Sequence, residues 1–314
     1  MQNEPPSISI IVPAYGVAHL VGEALASLQA QDFRDWEAIV VDDGAPDDVA
    51  AALAPFESDP RIRLLATDNG GLATARNRAI AIARAPLVAL LDGDDLYEPD
   101  YLSTMIAAIG VDPGIGFVTC DATNFGLPSR EGQRFSRYAP QQPPITLARV
   151  LQREFNIFVG CVIRREALDS VGGFDGDLRS AEDFDLWIRL LAQGWACGHV
   201  ARPLVRYRRR PDSLSANSAT LLHATAQVYA KAETALRGRP EAAIAARMRA
   251  STLQQIDWIA AEAMIREGQA RDGVALLTRS GADKRSLRWR IAMPVMRALP
   301  GLAPLLIDMR YRLP

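Results

Sequence analysis

Short apolar runs that end abruptly in proline or acid alternate with helical periodicity over the first third of the chain. Ile8 to Val12 is β-branched and stopped by Pro13, the pattern of a buried strand. Val17, Val21, Ala24, Leu25 and Leu28 then recur at helical spacing. Glu37 to Val41 reads as a second buried strand and runs straight into Asp42-Asp43-Gly44. Arg61 to Ala66 is a third strand, followed by Gly70-Gly71 and an Ala-rich helix from about Leu72 to Ala85. Pro86 to Leu91 is another apolar strand, and it ends in Asp92-Gly93-Asp94-Asp95. Strands alternating with helices imply βαβ units, a parallel sheet and right-handed crossovers. Two of the buried strands deliver carboxylates at their C-terminal ends, the edge where open α/β sheets bind ligands.

The pattern then changes twice. Short strands (Ile115–Thr119, Ile157–Ile163, Ala196–Val200, Leu204–Tyr207) surround a helix near Glu182–Gln193. Beyond about Ser213 strand signals fade and Ala, Leu, Arg and Glu dominate to about Met264. Leu287 to Pro314 mixes apolar residues with arginines, and Pro294, Pro300 and Pro304 are expected to break it into short pieces. The expected organisation is an α/β domain over residues 1–215, its central sheet mostly parallel, and a helical, basic C-terminal region over 216–314.

Charge sharpens that division. Residues 201–314 carry 20 Lys or Arg against 9 Asp or Glu, a net of +11, whereas residues 1–200 carry 15 against 28, a net of −13. An acidic front half suits metal chemistry, and a basic back half suits an anionic surface or a phosphate-bearing ligand. No stretch approaches the ~18 to 20 apolar residues of a membrane span. Met1 to Pro6 shows neither a basic start nor an apolar signal-peptide core. Three widely spaced cysteines, Cys120, Cys161 and Cys197, suit a reduced cytoplasm rather than a disulfide framework or structural zinc.

Four constellations could carry chemistry. Three carboxylates in Asp92-Gly93-Asp94-Asp95 repel one another and favour a hard divalent cation, although Asp and Gly also build ordinary polar turns. Pro13-Ala14-Tyr15 and Asp42-Asp43 close neighbouring strands, so a ring and a carboxylate could flank a nucleobase; no GxGxxG follows the first strand, which disfavours a dinucleotide fold. Glu182-Asp183 opens a helix, either as acids favouring the dipole or as a general base facing the cleft. Arg206, Arg208, Arg209 and Arg210 could clamp a diphosphate or line a solvated edge strand. Nucleic acid is a poorer partner, because no aromatic-basic module accompanies the charge.

These pieces, in this order, resemble the inverting glycosyltransferases of family 2, which have a GT-A fold, a Rossmann-like nucleotide-diphospho-sugar transferase domain. The resemblance rests on ISIIVPAY (8–15), VVDDG (40–44), GGLATARN (70–77), LDGDD (91–95), VGGFD (171–175) and EDFDLW (182–187), and covers about residues 7–215. It implies that Pro13, Ala14, Tyr15 and Asp43 hold the base of a nucleotide-sugar donor, with Asp42 and Arg76 nearby. It implies a DxD motif of Asp92 and Asp94 binding Mn²⁺ or Mg²⁺, chiefly through Asp94. Asp183 becomes the catalytic base and Glu182 its neighbour orienting the acceptor. Two positions depart from the pattern: Gly16 stands where many relatives are polar, and Arg210 stands where many have a metal- or diphosphate-binding His, so Arg210 is expected on phosphate. The expected activity is sugar transfer, from a UDP-sugar by preference, to a glycan or lipid-linked acceptor in cell-surface polysaccharide or glycoconjugate synthesis. The competing class is a non-catalytic sugar-nucleotide-binding or scaffold protein of the same fold. A cytoplasmic enzyme is expected, and its basic C-terminus could dock on the inner face of the membrane.

Overall fold

The computed structural model describes residues 4–211, 213, 218–281 and 287–312. The expected domain boundary at 215/216 and the end of the arginine-rich stretch lie outside the described residues. Eight strands form one sheet: β1 (Ile8–Ala14), β2 (Trp36–Asp43), β3 (Ile62–Thr67), β4 (Leu87–Leu90), β5 (Leu96–Tyr97), β6 (Ile115–Phe125), β7 (Val162–Arg164) and β8 (Ala196–Arg208). Their order is β3-β2-β1-β4-β7-β6-β8-β5. The pairs β1/β2, β1/β4, β2/β3 and β6/β8 are parallel. β7 runs antiparallel between β4 and β6, and β5 antiparallel on β8.

Strand alternation divides the core between the two faces of the sheet. Ile8, Ile10 and Val12 with Ala38 and Val40 face α1 (Ala18–Gln29), α2 (Val49–Leu53) and α4 (Tyr101–Ile109). Ile11, Ile39, Val41, Val88 and Leu90 face α3 (Leu72–Ile82), α5 (Leu147–Leu151), α6 (Arg165–Val171) and α7 (Glu182–Gln193). Burying each such side chain stabilises the fold by roughly 1.5–3 kcal/mol.

That second face does not end with the sheet. α8 (Ser218–Ala235) contributes Ala224, Val228, Tyr229 and Ala232 to the same cluster, and α9 (Pro240–Arg266) contributes Ala245. A separate cluster joins the far end of α9 (Trp258, Ala261, Ile265) to α10 (Ala270–Arg279), α11 (Leu287–Ala298) and α12 (Ala303–Arg312). The C-terminal region is thus helical, with one half packed on the sheet and the other around its own small core.

Four elements differ from the apolar pattern. α3 stops at Ile82 because the next turn is pulled away: the Arg84 backbone N–H donates to Glu37 Oε1 at 2.7 Å. Of Ile157–Ile163 only the end pairs, in β7: Ile157 and Phe158 are buried by packing outside the ladder, and Cys161 contributes only its carbonyl, which accepts from the Leu90 N–H at 3.1 Å. The two strands expected at 196–200 and 204–207 are one, because Pro203 sits at a bulge where the register against Cys120, Asp121 and Ala122 shifts. Pro294 lies inside α11 rather than ending it, while Pro300 and Pro304 do stand at helix starts.

Candidate active site

Parallel pairing brings the ends of β1, β2 and β4 side by side, with Pro13 opposite Val41 and Ala14 opposite Asp42. The turn Asp92–Asp95 packs directly on the end of β1, and a Cβ on Gly93 would come within 2.8 Å of the Pro13 carbonyl oxygen, so only glycine allows that approach. Tyr15 projects from this edge, 55% exposed. The loop behind it is held by Asp47, which accepts from the backbone N–H groups of Gly16 at 3.1 Å and Ala18 at 2.6 Å. Asp47 was not singled out in the sequence, since a lone Asp in a turn-rich stretch carries no distinguishing signal.

The two acids ending β2 do different things. Asp42 accepts from the Ala45 N–H at 2.8 Å and shapes its own turn. Asp43 is buried and accepts from the N–H groups of Gly70 at 2.9 Å and Gly71 at 2.8 Å, with Arg78 at 3.3 Å. Asp43 therefore fixes the glycine turn that starts α3. From α3, the fully buried Arg76 reaches both remaining acidic groups: its Nη1 donates to Glu182 Oε1 and its Nη2 to Asp92 Oδ1, each at 2.6 Å. Burial by itself would lower the pKa of this guanidinium, but Asp92 and Glu182 more than offset it and hold it above its ordinary value. One arginine thus ties the end of β4 to the start of α7.

The N-terminus of α7 is set by Ala181, which takes left-handed dihedrals (φ 58°) as N-cap. Three acids follow in the first turn, where the helix dipole favours them. Two are engaged: Glu182 by Arg76, and Asp185 by Arg189 at 2.7 Å and by Lys231 of α8 at 2.6 Å. Asp183 accepts only from the N–H of the adjacent Phe184, at 2.7 Å, and among the described residues forms no ion pair. Burial pushes its carboxyl above the ordinary value, against the opposing pull of Arg76, the Phe184 N–H and Arg153. Burial likewise raises Glu182, against Arg76 and reinforced by the charge of Asp183.

Arg153 was missed by reading the sequence. It and Ala181 are the non-glycine residues with positive φ among those described, and its guanidinium lies 3.6 Å from the Phe184 ring centroid. Both left-handed residues therefore stand beside Asp183, and no linear pattern places Arg153 there.

On the other side of the turn, Asp94 Oδ2 accepts from Arg210 Nε at 3.0 Å. Burial first, and then the charge of Asp92, raises the Asp94 carboxyl above its ordinary value. Asp95 is buried, accepts from the Arg208 N–H at 2.8 Å, and is pushed well up by burial and by its two acidic neighbours. Arg208 also donates to the Asp94 carbonyl and pairs with Glu23, both at 2.8 Å. Of the expected diphosphate clamp, Arg208 is therefore committed to protein contacts, Arg206 lies over the Phe125 ring, and Arg210 holds an aspartate.

Asp92 and Asp94 fit a hard divalent ion in one respect: hard oxygen donors crowd one turn, and Asp94 already feels the excess negative charge. Among the described residues no group of three or more His, Cys, Asp or Glu converges as a closed cage. Such an ion would depend on one or two carboxylates together with phosphate oxygens and water, the usual habit of Mg²⁺.

The model of Glycosyl transferase family 2 matches residues 9–172, which carry β1, β2, β4 and the Asp92–Asp95 turn. The chain belongs to this family. Among curated proteins it is 27% identical over 236 residues to TuaG of Bacillus subtilis, named for teichuronic acid biosynthesis, covering 74% of this chain and 91% of that one. It is 29% identical to WfgD of Escherichia coli, named as a UDP-Glc:α-D-GlcNAc-diphosphoundecaprenol β-1,3-glucosyltransferase, covering 67% of this chain and 80% of that one. It spans less than two thirds of several other curated relatives. The mannosyltransferase PcManGT of Pyrobaculum calidifontis, solved in complex with GDP-Man and Mn²⁺, superposes with a TM-score of 0.61 at 21% identity, covering 95% of this chain and 89% of that one. This glycosyltransferase therefore has the GT-A fold.

Proposed function

We propose that this family 2 enzyme transfers a sugar from a nucleoside-diphosphate donor, a UDP-sugar by preference, to a hydroxyl of a glycan or lipid-linked acceptor with inversion. The observation that carries the reading is Asp183: of three acids on the first turn of α7, it alone among the described residues is left without an ion pair. A carboxylate at a helix start, raised by burial and unpaired, is what a general base requires. A scaffold protein would have no use for it, since an unpaired half-buried carboxylate costs stability. The names of TuaG and WfgD support a role in cell-surface polysaccharide or glycoconjugate synthesis, and that of WfgD supports UDP and a lipid-linked acceptor.

In this mechanism Asp183 takes the proton of the acceptor hydroxyl as that oxygen attacks the anomeric carbon. The bond from the anomeric carbon to the donor phosphate oxygen breaks on the opposite face, and the electron pair leaves with the nucleoside diphosphate. Arg76 keeps Glu182 and Asp92 oriented, so the base and the donor-binding turn hold a fixed relation. Tyr15 stacks on the base of the donor, while Pro13, Ala14, Asp42 and Asp43 shape that edge. Mn²⁺ or Mg²⁺ held by Asp94 and Asp92 would supply charge neutralisation of the departing diphosphate, and PcManGT with its Mn²⁺ supports that assignment. Arg210 is proposed to exchange Asp94 for donor phosphate. The reaction is placed on the cytoplasmic side of the membrane, where nucleotide sugars would be supplied.

The test is a thermal-shift screen of UDP-, GDP- and dTDP-sugars with and without Mn²⁺, followed by transfer or donor hydrolysis. A donor at ~100 times its dissociation constant raises stability by about 2.7 kcal/mol. The reading fails if none of these nucleotides shifts the unfolding transition in the presence of metal.

A further inference from the structure

We propose that α11, the turn after it and the start of α12 form a face that lies on an anionic lipid bilayer. The segment is apolar on two sides. Met293, Met296, Ala303 and Ile307 are fully buried against Trp258 and its neighbours. Opposite them, Ile291 (63% exposed), Val295 (39%), Leu299 (58%), Leu302 (41%) and Leu305 (63%) face outward. Of the twelve large hydrophobics exposed among the described residues, these five fall within residues 291–305. Ile291 and Val295 are one helical turn apart, and Leu299 continues their row past the end of α11. A helix already packed on its inner side gains nothing from leucines on the outer side unless something apolar covers them.

Charge identifies the cover. Residues 284–312 hold seven Lys or Arg and a single acid, Asp308, and Asp308 is paired with Arg266. Arg290 and Arg297 are exposed on the same helix as Ile291 and Val295. An apolar row flanked by arginines matches acyl chains lying beneath anionic headgroups. A second copy over this face would set two strongly basic segments against each other, which like-charge repulsion opposes. Among the described residues no helix is long and apolar enough to cross a membrane, so the segment lies on the surface and does not span it.

The inference deepens the proposed function, since a face of this kind would bring the enzyme to a lipid-linked acceptor. Its test needs neither donor nor acceptor, so its failure leaves the transferase reading standing, and the reverse. The full-length chain is co-sedimented with vesicles of phosphatidylcholine carrying about 30% phosphatidylglycerol, and with phosphatidylcholine alone. Binding at least about tenfold tighter to the anionic vesicles, weakening as salt rises from about 0.1 to 0.5 M, is expected. Leu302→Ser with Leu305→Ser should lower it about tenfold. Arg290→Gln with Arg297→Gln should lower it and flatten the salt dependence. All four residues are exposed, and an unchanged thermal transition will show that the variants fold. Absent binding, equal binding to neutral vesicles, or serine variants that bind like the parent overturn the proposal. So does a dimer in sedimentation velocity that the serine substitutions dissociate, which would make a second copy the cover.

Discussion

Buried and half-buried carboxylates lie at both ends of the parallel strands, and, Asp43 with its two N–H donors aside, the two ends treat them oppositely. Glu37, near the start of β2, is 1% exposed. Ser9 Oγ donates to it at 2.8 Å, the Arg84 N–H at 2.7 Å and Arg84 Nε at 3.0 Å, and Arg63 pairs with it at 3.1 Å. Burial by itself would raise its carboxyl, yet these donors hold it below its ordinary value. At the other end Asp94, Asp95, Glu182 and Asp183 are all pushed up, by burial first and by a nearby acid as the next raising influence. Donors enough to satisfy a carboxylate make it structural. Too few leave a group that still needs a proton, a cation or a substrate. The difference between the ends is thus one of supply, not of residue type.

The largest way to break the comparison is to remove what supports one end only. A chain cut after residue 215 loses Lys231 from Asp185 and Tyr229 from its edge-to-face contact with Phe184, while the Glu37 network is untouched. It also uncovers one face of the sheet core. We expect such a chain to lack a cooperative unfolding transition and any transfer activity, measured by urea titration and by product formation.

Next in size is Asp183→Asn, expected to lower turnover by about 10²-fold or more with donor affinity nearly unchanged. Single-turnover kinetics and donor titration read the two separately, and near-parental turnover would remove the assigned base. Its stability at neutral pH should equal or exceed that of the parent, because a neutral amide replaces an unpaired half-buried charge. Glu37→Gln should do the reverse: lose about 1–3 kcal/mol in denaturant unfolding and keep kcat, since the buried Ser9 hydroxyl and the Arg84 N–H lose a charged acceptor.

The smallest effect is in pH. Glu37, lowered in the fold, gives stability that is present above its ordinary 4.5 and is lost as pH falls through its folded value. Asp183, raised in the fold, carries no penalty below its ordinary 3.8, and the penalty builds as pH rises from there to its folded value. The acid limb of kcat/KM should accordingly lie above 3.8. A limb at or below it would mean that Asp183 ionises as an exposed carboxylate does.

Much of the candidate site's edge was legible in the chain. β1, β2 and β4 are covered on both faces, so they read as unbroken apolar runs, and their acids fell at the ligand edge. The first part of the strand expected at Ile157–Ile163 misled, because burial makes an apolar run whether or not its backbone joins a ladder. The gap expected between Val200 and Leu204 misled in the other direction, since a bulge at Pro203 keeps one strand continuous. Arg210, expected on phosphate, holds Asp94 here, a pairing that only proximity in space discloses.

What the sequence determined by itself was local: the strand–acid junctions, the helix start at Glu182 and the charge asymmetry of the two halves, each set by neighbours a few residues apart. What the tertiary structure decided was who pairs with whom. Arg76 joins Asp92 to Glu182, the latter 106 residues beyond Arg76 in the chain, and Lys231 takes Asp185 out of play. Which of three adjacent acids is left for chemistry depends on where distant cations come to rest, and a buried ion pair forms only once the core that excludes water around it has been built.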